Sequence, residues 1–182
     1  SAAGKKLTTG EANFGLGWRA IGGSSSSPMT GNHNIAIGST SLYRITSGIR
    51  NVGLGYSSLA SITSEAYNIG IGYLAGNVLT SSNAVAIGGL VMQTTTNANS
   101  AVAIGTSSAA NADDISFSSY LGHGTGQYLD GRENVAIGYL AGRGSTGASG
   151  EKNTFVGARA GNSVNGSSNV FLGYRAGYNE DG

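Results

Sequence analysis

No cysteine occurs in these 182 residues, and there is a single proline, Pro28. A disulfide scaffold is therefore excluded, and so are thiolate metal sites. Charge is scarce as well: ten Lys and Arg stand against nine Asp and Glu, for a net charge of +1. No basic patch is large enough to hold nucleic acid, and no acidic run is present. Nowhere do the roughly 20 consecutive apolar residues of a bilayer-spanning helix occur, so no membrane insertion is expected. The opening Ser1-Ala-Ala-Gly-Lys-Lys6 has no apolar signal core. Low charge with 32 glycines would suit a disordered chain, but such chains lack aliphatic residues, and here these recur at fixed phase.

What is present is one short phrase, written ten times. Its clearest copies are Asn34-Ile-Ala-Ile-Gly38, Asn51-Val-Gly-Leu-Gly55, Asn68-Ile-Gly-Ile-Gly72, Asn134-Val-Ala-Ile-Gly138 and Asn169-Val-Phe-Leu-Gly173. The closing glycines fall at 17, 38, 55, 72, 88, 105, 122, 138, 157 and 173, a step of about 17 residues with two longer exceptions. Alternating β-branched residues before each glycine predict a short strand. A weaker aliphatic column seven residues after the glycine (Ile45, Ile62, Leu79, Leu129, Val164) predicts a return strand, followed by turn formers such as Asp130-Gly131. The phrase-opening asparagines tolerate a left-handed turn and, stacked coil on coil, can form a ladder. A unit of this size is one coil of a solenoid. Residues 1–12 read as a lead-in and 13–182 as the repeat domain, a segment whose Gly- and Asn-rich texture runs to both ends.

Within each strand, successive side chains point to opposite faces. One face carries the bulky aliphatics. The other carries Ala36, Gly53, Gly70, Ala86, Ala103 and Ala136, with Tyr120, Phe155 and Phe171 as large exceptions. The expectation is that the bulky face fills the coil's own interior, leaving the small face to meet another copy of the chain around a parallel axis. On that reading the three rings separate the subunits from about residue 118 onward.

The phrase resembles the head repeats of the YadA-like trimeric autotransporter adhesins. The variant seen in Gly72-Tyr-Leu-Ala-Gly76, Gly138-Tyr-Leu-Ala-Gly142 and Gly173-Tyr-Arg-Ala-Gly177 is similar to phage-tail-fibre-like proteins. The resemblance implies an all-β, left-handed parallel β-roll assembled as a homotrimer. It implies an extracellular cell-surface or virion fibre that recognises target-cell glycans or another receptor. It also implies a downstream self-cleaving trimerisation chaperone. Ala84 and Ala101 stand where the family phrase has Asn, so those two turns are expected to be built differently.

Trp18, Tyr56, Tyr73, Tyr139 and Tyr174 follow the closing glycine directly, with His123 in the same phase. Such a column could stack on sugar rings, or it could pack at turns or between subunits. Two lengthened steps, 22–31 and 143–152, hold the extra residues and bring Arg143 and Lys152 as candidate ligand contacts on loops, or plain surface excursions. Asn111-Ala-Asp-Asp114 and Asp130-Gly-Arg-Glu133 offer clustered carboxylates, but no calcium-roll phrase accompanies them. Asn165-Gly-Ser167 matches a glycosylation acceptor and reads as a turn. His33 and His123 lack a triad partner in the sequence. No cofactor and no catalytic residue is assigned. The composite reading is a multivalent fibre segment, with a purely structural spacer and a glycan-cleaving tail spike as the alternatives.

Overall fold

The computed structural model describes residues 9–22 and 28–178. Residues 1–8 of the lead-in, Gly23–Ser27 of the first long step and the closing Asn179–Gly182 lie outside the described residues. Among the described residues there is no helix. Twelve strands occur: β1 (Phe14–Leu16), β2 (Ile35–Ile37), β3 (Val52–Leu54), β4 (Ile69–Ile71), β5 (Val85–Ile87), β6 (Val102–Ile104), β7 (Ser119–Leu121), β8 (Leu129–Asp130), β9 (Val135–Ile137), β10 (Ala148–Ser149), β11 (Thr154–Val156) and β12 (Val170–Leu172). Ten of them, all but β8 and β10, form one parallel sheet in chain order. Each phrase is thus one three-residue strand, stacked on the next coil at roughly 4.8 Å. The chain is an all-β parallel solenoid of about nine turns.

The register never slips. Phe14 pairs with Ile35, Ile35 with Val52, and so on to Thr154 with Val170, phrase position against phrase position. The return column is buried as expected, with Ile45, Ile62, Leu79, Leu129 and Val164 at most 1% exposed. Among the described residues it pairs as a two-residue ladder at β8 and β10 and as an isolated bridge between Asn97 and Asp114. Elsewhere the return segment is turn-like, held by coil-to-coil bonds such as Thr46 N to Thr63 O at 2.9 Å.

The faces of the sheet are the reverse of the sequence expectation. Ala36, Ala86, Ala103 and Ala136 are fully buried inside their own chain, as are Tyr120 (1%) and Phe155 (0%). Gly53 and Gly70 are buried beside them, and Phe171 is half-buried against the same core. Eight of these nine residues have no surface to offer a second chain, Phe171 keeps only part of its own, and all three rings point into the coil. The cause is the narrowness of the coil. A Cβ on Gly53 would stand 2.5 Å from Ser41 Oγ, and one on Gly70 2.7 Å from Leu59 Cγ. A β-branched side chain has no room there, so the aliphatics point outward.

What fills the interior is a column four residues after the closing glycine: Ile21, Leu42, Leu59 and Met92. These residues sit in the left-handed region, with φ of 54°, 50°, 50° and 47°. L-residues visit that region reluctantly. Coil-to-coil bonds hold them in it, as with Leu42 N to Ser58 O at 3.1 Å. The column trades volume with the strand. Where the strand carries Tyr120, Phe155 or Phe171, the fourth residue is Gly126, Gly161 or Gly177, and a Cβ there would stand 2.8, 2.2 or 2.6 Å from the ring. Phe155 and Phe171 also stack on each other, centroids 6.0 Å apart.

The asparagine ladder forms. Asn34, Asn51 and Asn68 are fully buried. Asn51 Oδ1 accepts from the amide of Asn68 at 2.9 Å, while its Nδ2 donates to Asn34 Oδ1 at 3.1 Å and to Glu65 O at 2.8 Å. The same pattern resumes at Asn134, Asn153 and Asn169. Of the two turns expected to differ, the one at Ala84 keeps the ladder bond, its amide donating to Asn68 Oδ1 at 2.9 Å, and the departure begins at Ala101. The amides of Ala101 and Ser118 donate to Ala98 O and Ile115 O instead, at 3.0 and 3.1 Å.

Candidate functional site

Three surfaces of the solenoid carry the candidate chemistry, and the strand phase fixes which residues each receives. The first is the outward face of the long sheet. Its two columns run Phe14, Ile35, Val52, Ile69, Val85, Val102, Ser119, Val135, Thr154, Val170 and Leu16, Ile37, Leu54, Ile71, Ile87, Ile104, Leu121, Ile137, Val156, Leu172. None is charged, and only Ser119 and Thr154 are polar. Exposure runs from 38% at Ile37 to 76% at Leu172 among the more open members. The strip is about 43 Å long. At two side chains wide it exceeds the few hundred Å² of contiguous apolar surface that a soluble monomer ordinarily leaves open.

The aromatic column borders this strip. Trp18, Tyr56, Tyr73, Tyr139 and Tyr174 are all exposed, by 50% to 70%. They do not make one continuous platform. Tyr56 and Tyr73 stack at 5.6 Å, and His123 stacks on Tyr139 at 5.7 Å. Ser39, Gly89, Thr106 and Ala158 interrupt the series. Arginines of the next position lie over several rings: Arg19 on Trp18 at 4.6 Å, Arg159 on Tyr139 at 5.9 Å and Arg175 on Tyr174 at 5.4 Å. Such contacts fix a ring and add a cation beside it.

The third surface is the corner of the long step 143–152, flanked by two open grooves. One, of about 410 Å³, is lined by Asp114, Asp130, Arg132, Ser149, Glu151 and Ser167. Arg132 closes on Asp114 at 2.7 Å. Partial burial raises the Asp114 carboxyl, but the amide and hydroxyl of Ser116 together with Arg132 outweigh it and hold the group below its ordinary value. It is therefore ionised at neutral pH, whereas a general acid needs a raised pKa. Among the described residues no three His, Asp or Glu side chains are placed to share a metal ion.

The other groove, about 320 Å³, lies across the β8–β10 ladder and is lined by Tyr128, Arg143, Gly144, Ser145, Thr146, Asn162 and Ser163. Arg143 is therefore set in a groove, while Lys152 is exposed beside the ladder asparagine Asn153, on a different corner. The two candidate cations are not brought together. Sequence reading missed Tyr128, Gln127 and Asn162. The signal was available: Gln127, Arg143 and Asn162 each stand five residues after a closing glycine in three consecutive coils, so the phase alone stacks them.

The fold defines the class, a parallel β-solenoid with an uncharged aliphatic sheet face. No family model, curated protein or solved structure matches the chain.

Proposed function

We infer that the chain is one arm of a homotrimeric extracellular fibre, a left-handed β-roll that presents three equivalent surfaces to glycans of a target cell. The observation that carries this reading is the uncharged, largely aliphatic strip on the outward sheet face. A strip of this length needs an apolar partner. Another copy of the same chain supplies one in identical coil-by-coil register. The three-fold order, the handedness and the extracellular setting come from the adhesin and tail-fibre families that the phrase resembles, as does a trimerisation chaperone further along the full-length protein. Residues that meet in the trimer are then Ile35, Ile37, Ile69, Ile87 and their column mates, not the alanines and glycines of the coil interior.

Recognition in such a fibre works through number. Three weak sites on one rigid rod raise the effective concentration of the second and third contacts without any deep pocket. The open grooves and exposed rings are of the kind this needs.

The decisive experiment couples mass to binding. Light scattering on the purified chain at micromolar concentration is expected to give three times the chain mass, and the trimer to bind target cells or a glycan array. An Ile87→Arg variant is expected to be monomeric and to lose at least tenfold in apparent cell affinity. A wild-type monomer would overturn the assembly. A trimer binding no glycan and no cell would reduce the chain to a spacer.

A further inference from the structure

We propose that the groove between Tyr128, Arg143 and Asn162 is a subsite for one carboxylated sugar residue of an acidic polysaccharide. This deepens the glycan-binding reading and rests on it. Three observations converge. The Arg143 guanidinium is held in place, its Nε donating to Gln127 Oε1 at 3.2 Å and its Cζ lying 5.4 Å from the centroid of the Tyr128 ring. Yet among the described residues the one ion pair is that of Arg132 with Asp114, so no carboxylate answers Arg143. A fixed cation without a counter-ion suits the planar two-oxygen geometry of a ligand carboxylate.

Asn162 supplies the second observation. It lines the groove and is only 9% exposed, and its Oδ1 has no hydrogen-bond donor. Its Nδ2 is engaged with Ser163 Oγ at 3.3 Å. Buried polar atoms without a partner are uncommon in folded proteins and call for an explanation. Oδ1 itself is closed to solvent, so a turn of the Asn162 amide about its Cβ–Cγ bond is what would bring it to the groove, where a ligand hydroxyl would provide the donor. The hydroxyls of Ser145 and Thr146, both exposed on the rim, supply further partners of the kind a sugar ring requires. At about 320 Å³ the groove lies at the small end of ligand sites, suited to a single ring of a longer chain rather than a buried oligosaccharide.

Third, the loop that forms one wall is built. Gly144 takes φ of 71°, and a Cβ there would stand 3.1 Å from Leu129 N and from Ala148 Cβ. Ala148 is buried, bonds through its amide to Ser145 O at 2.8 Å, and enters the ladder with Leu129. The extra residues of this coil therefore close a wall instead of trailing into solvent. None of the residues that line the groove belongs to the aliphatic strip, so association through the strip does not use them.

The test uses calorimetry and saturation-transfer NMR at low ionic strength, with trigalacturonate, maltotriose and inorganic phosphate as probes. Expected is millimolar or tighter binding of trigalacturonate, with maltotriose at least tenfold weaker and phosphate weaker than trigalacturonate. Arg143→Gln is expected to remove the acidic preference, and Asn162→Ala to weaken both sugars severalfold, each with the wild-type melting profile. Arg143→Lys keeps the charge without the fork and is expected to fall between. Equal binding of the acidic and neutral sugars, phosphate competing as well as trigalacturonate, or binding unchanged in both Arg143→Gln and Asn162→Ala would overturn the assignment. Cell binding that persists in Arg143→Gln would place glycan recognition elsewhere on the rod, leaving the fibre reading intact.

Discussion

Tyr120 concentrates the constraints of the coil in one side chain. Its ring fills the space that Gly126 leaves, but its hydroxyl is buried near Ser118 and Asn134 without meeting hydrogen-bond geometry to either. Burial pushes the phenol up to about 12, with those two neighbours pulling weakly the other way. The folded state therefore favours the neutral phenol. Its contribution is complete below pH 10 and is lost as pH rises through about 12. Tyr120→Phe is expected to remove the unpartnered oxygen and stabilise the coil by about 1 kcal/mol. A higher denaturant midpoint, a smaller loss between pH 10 and 12, and disappearance of the last step of the tyrosinate absorbance titration would check it. The volume trade between columns gives a second expectation. Phe155→Ala should cost about 3–5 kcal/mol. Adding Gly161→Leu should recover part of that, since Leu42 and Leu59 already occupy the same left-handed position in other coils. A double-mutant cycle with no coupling would show that the exchange is accidental.

A single coil is a three-residue strand, an asparagine and two tight turns, and its stability comes from its neighbours. The ladder is the clearest case. Asn51→Ala would strip the partner from the Asn68 amide and from Glu65 O at once. The expected loss is about 1–3 kcal/mol, chiefly from the buried Asn68 amide, with the part-buried Glu65 carbonyl adding less. Ser82→Ala, which frees only the part-buried amide of Ala66, should cost well under half of that. Equal losses in urea melts would deny the ladder its role. Sequence made the strands, their register and the ladder legible, because period two and the 17-residue phase are properties of residue order alone. It could not say which strand face turns inward. Alternation yields two faces, and the bulky one is ordinarily the core face. Here the left-handed residues at 21, 42, 59 and 92 carry the interior bulk, and nothing in a hydropathy pattern marks a leucine as having a positive φ.

At the scale of the molecule, inside and outside can be told apart by paired substitutions. Ile87→Arg lies on the outward strip and is expected to leave the β-rich circular dichroism spectrum and coil stability nearly unchanged while preventing self-association. Ala103→Arg lies inside, with no exposed surface, and is expected to unfold its coil by burying an unpaired charge at a cost of several kcal/mol. If Ala103→Arg folded as a monomer and Ile87→Arg failed to fold, the faces described here would be reversed. The candidate site was less legible than the fold. Arg143 stood out because it begins a lengthened step. Its partners Gln127 and Asn162 emerge only when coils of unequal length are aligned on their glycines.

The constant register has an evolutionary consequence. Steps of 21, 17, 16 and 19 residues separate consecutive strands that nevertheless pair position for position, as Phe14 with Ile35, Ile35 with Val52, Ile69 with Val85 and Val135 with Thr154. Contour length and axial advance are thus uncoupled. A few residues gained or lost at a corner change the local texture and shift nothing downstream. Reach changes only by duplicating or deleting a whole coil, in increments of about 4.8 Å. Two kinds of mutation then act on two independent traits: small insertions retune what one corner touches, and tandem duplications set how far along the rod it is held. A lineage of such rods can diversify its contacts at the 143–152 corner without re-optimising the sheet that carries them.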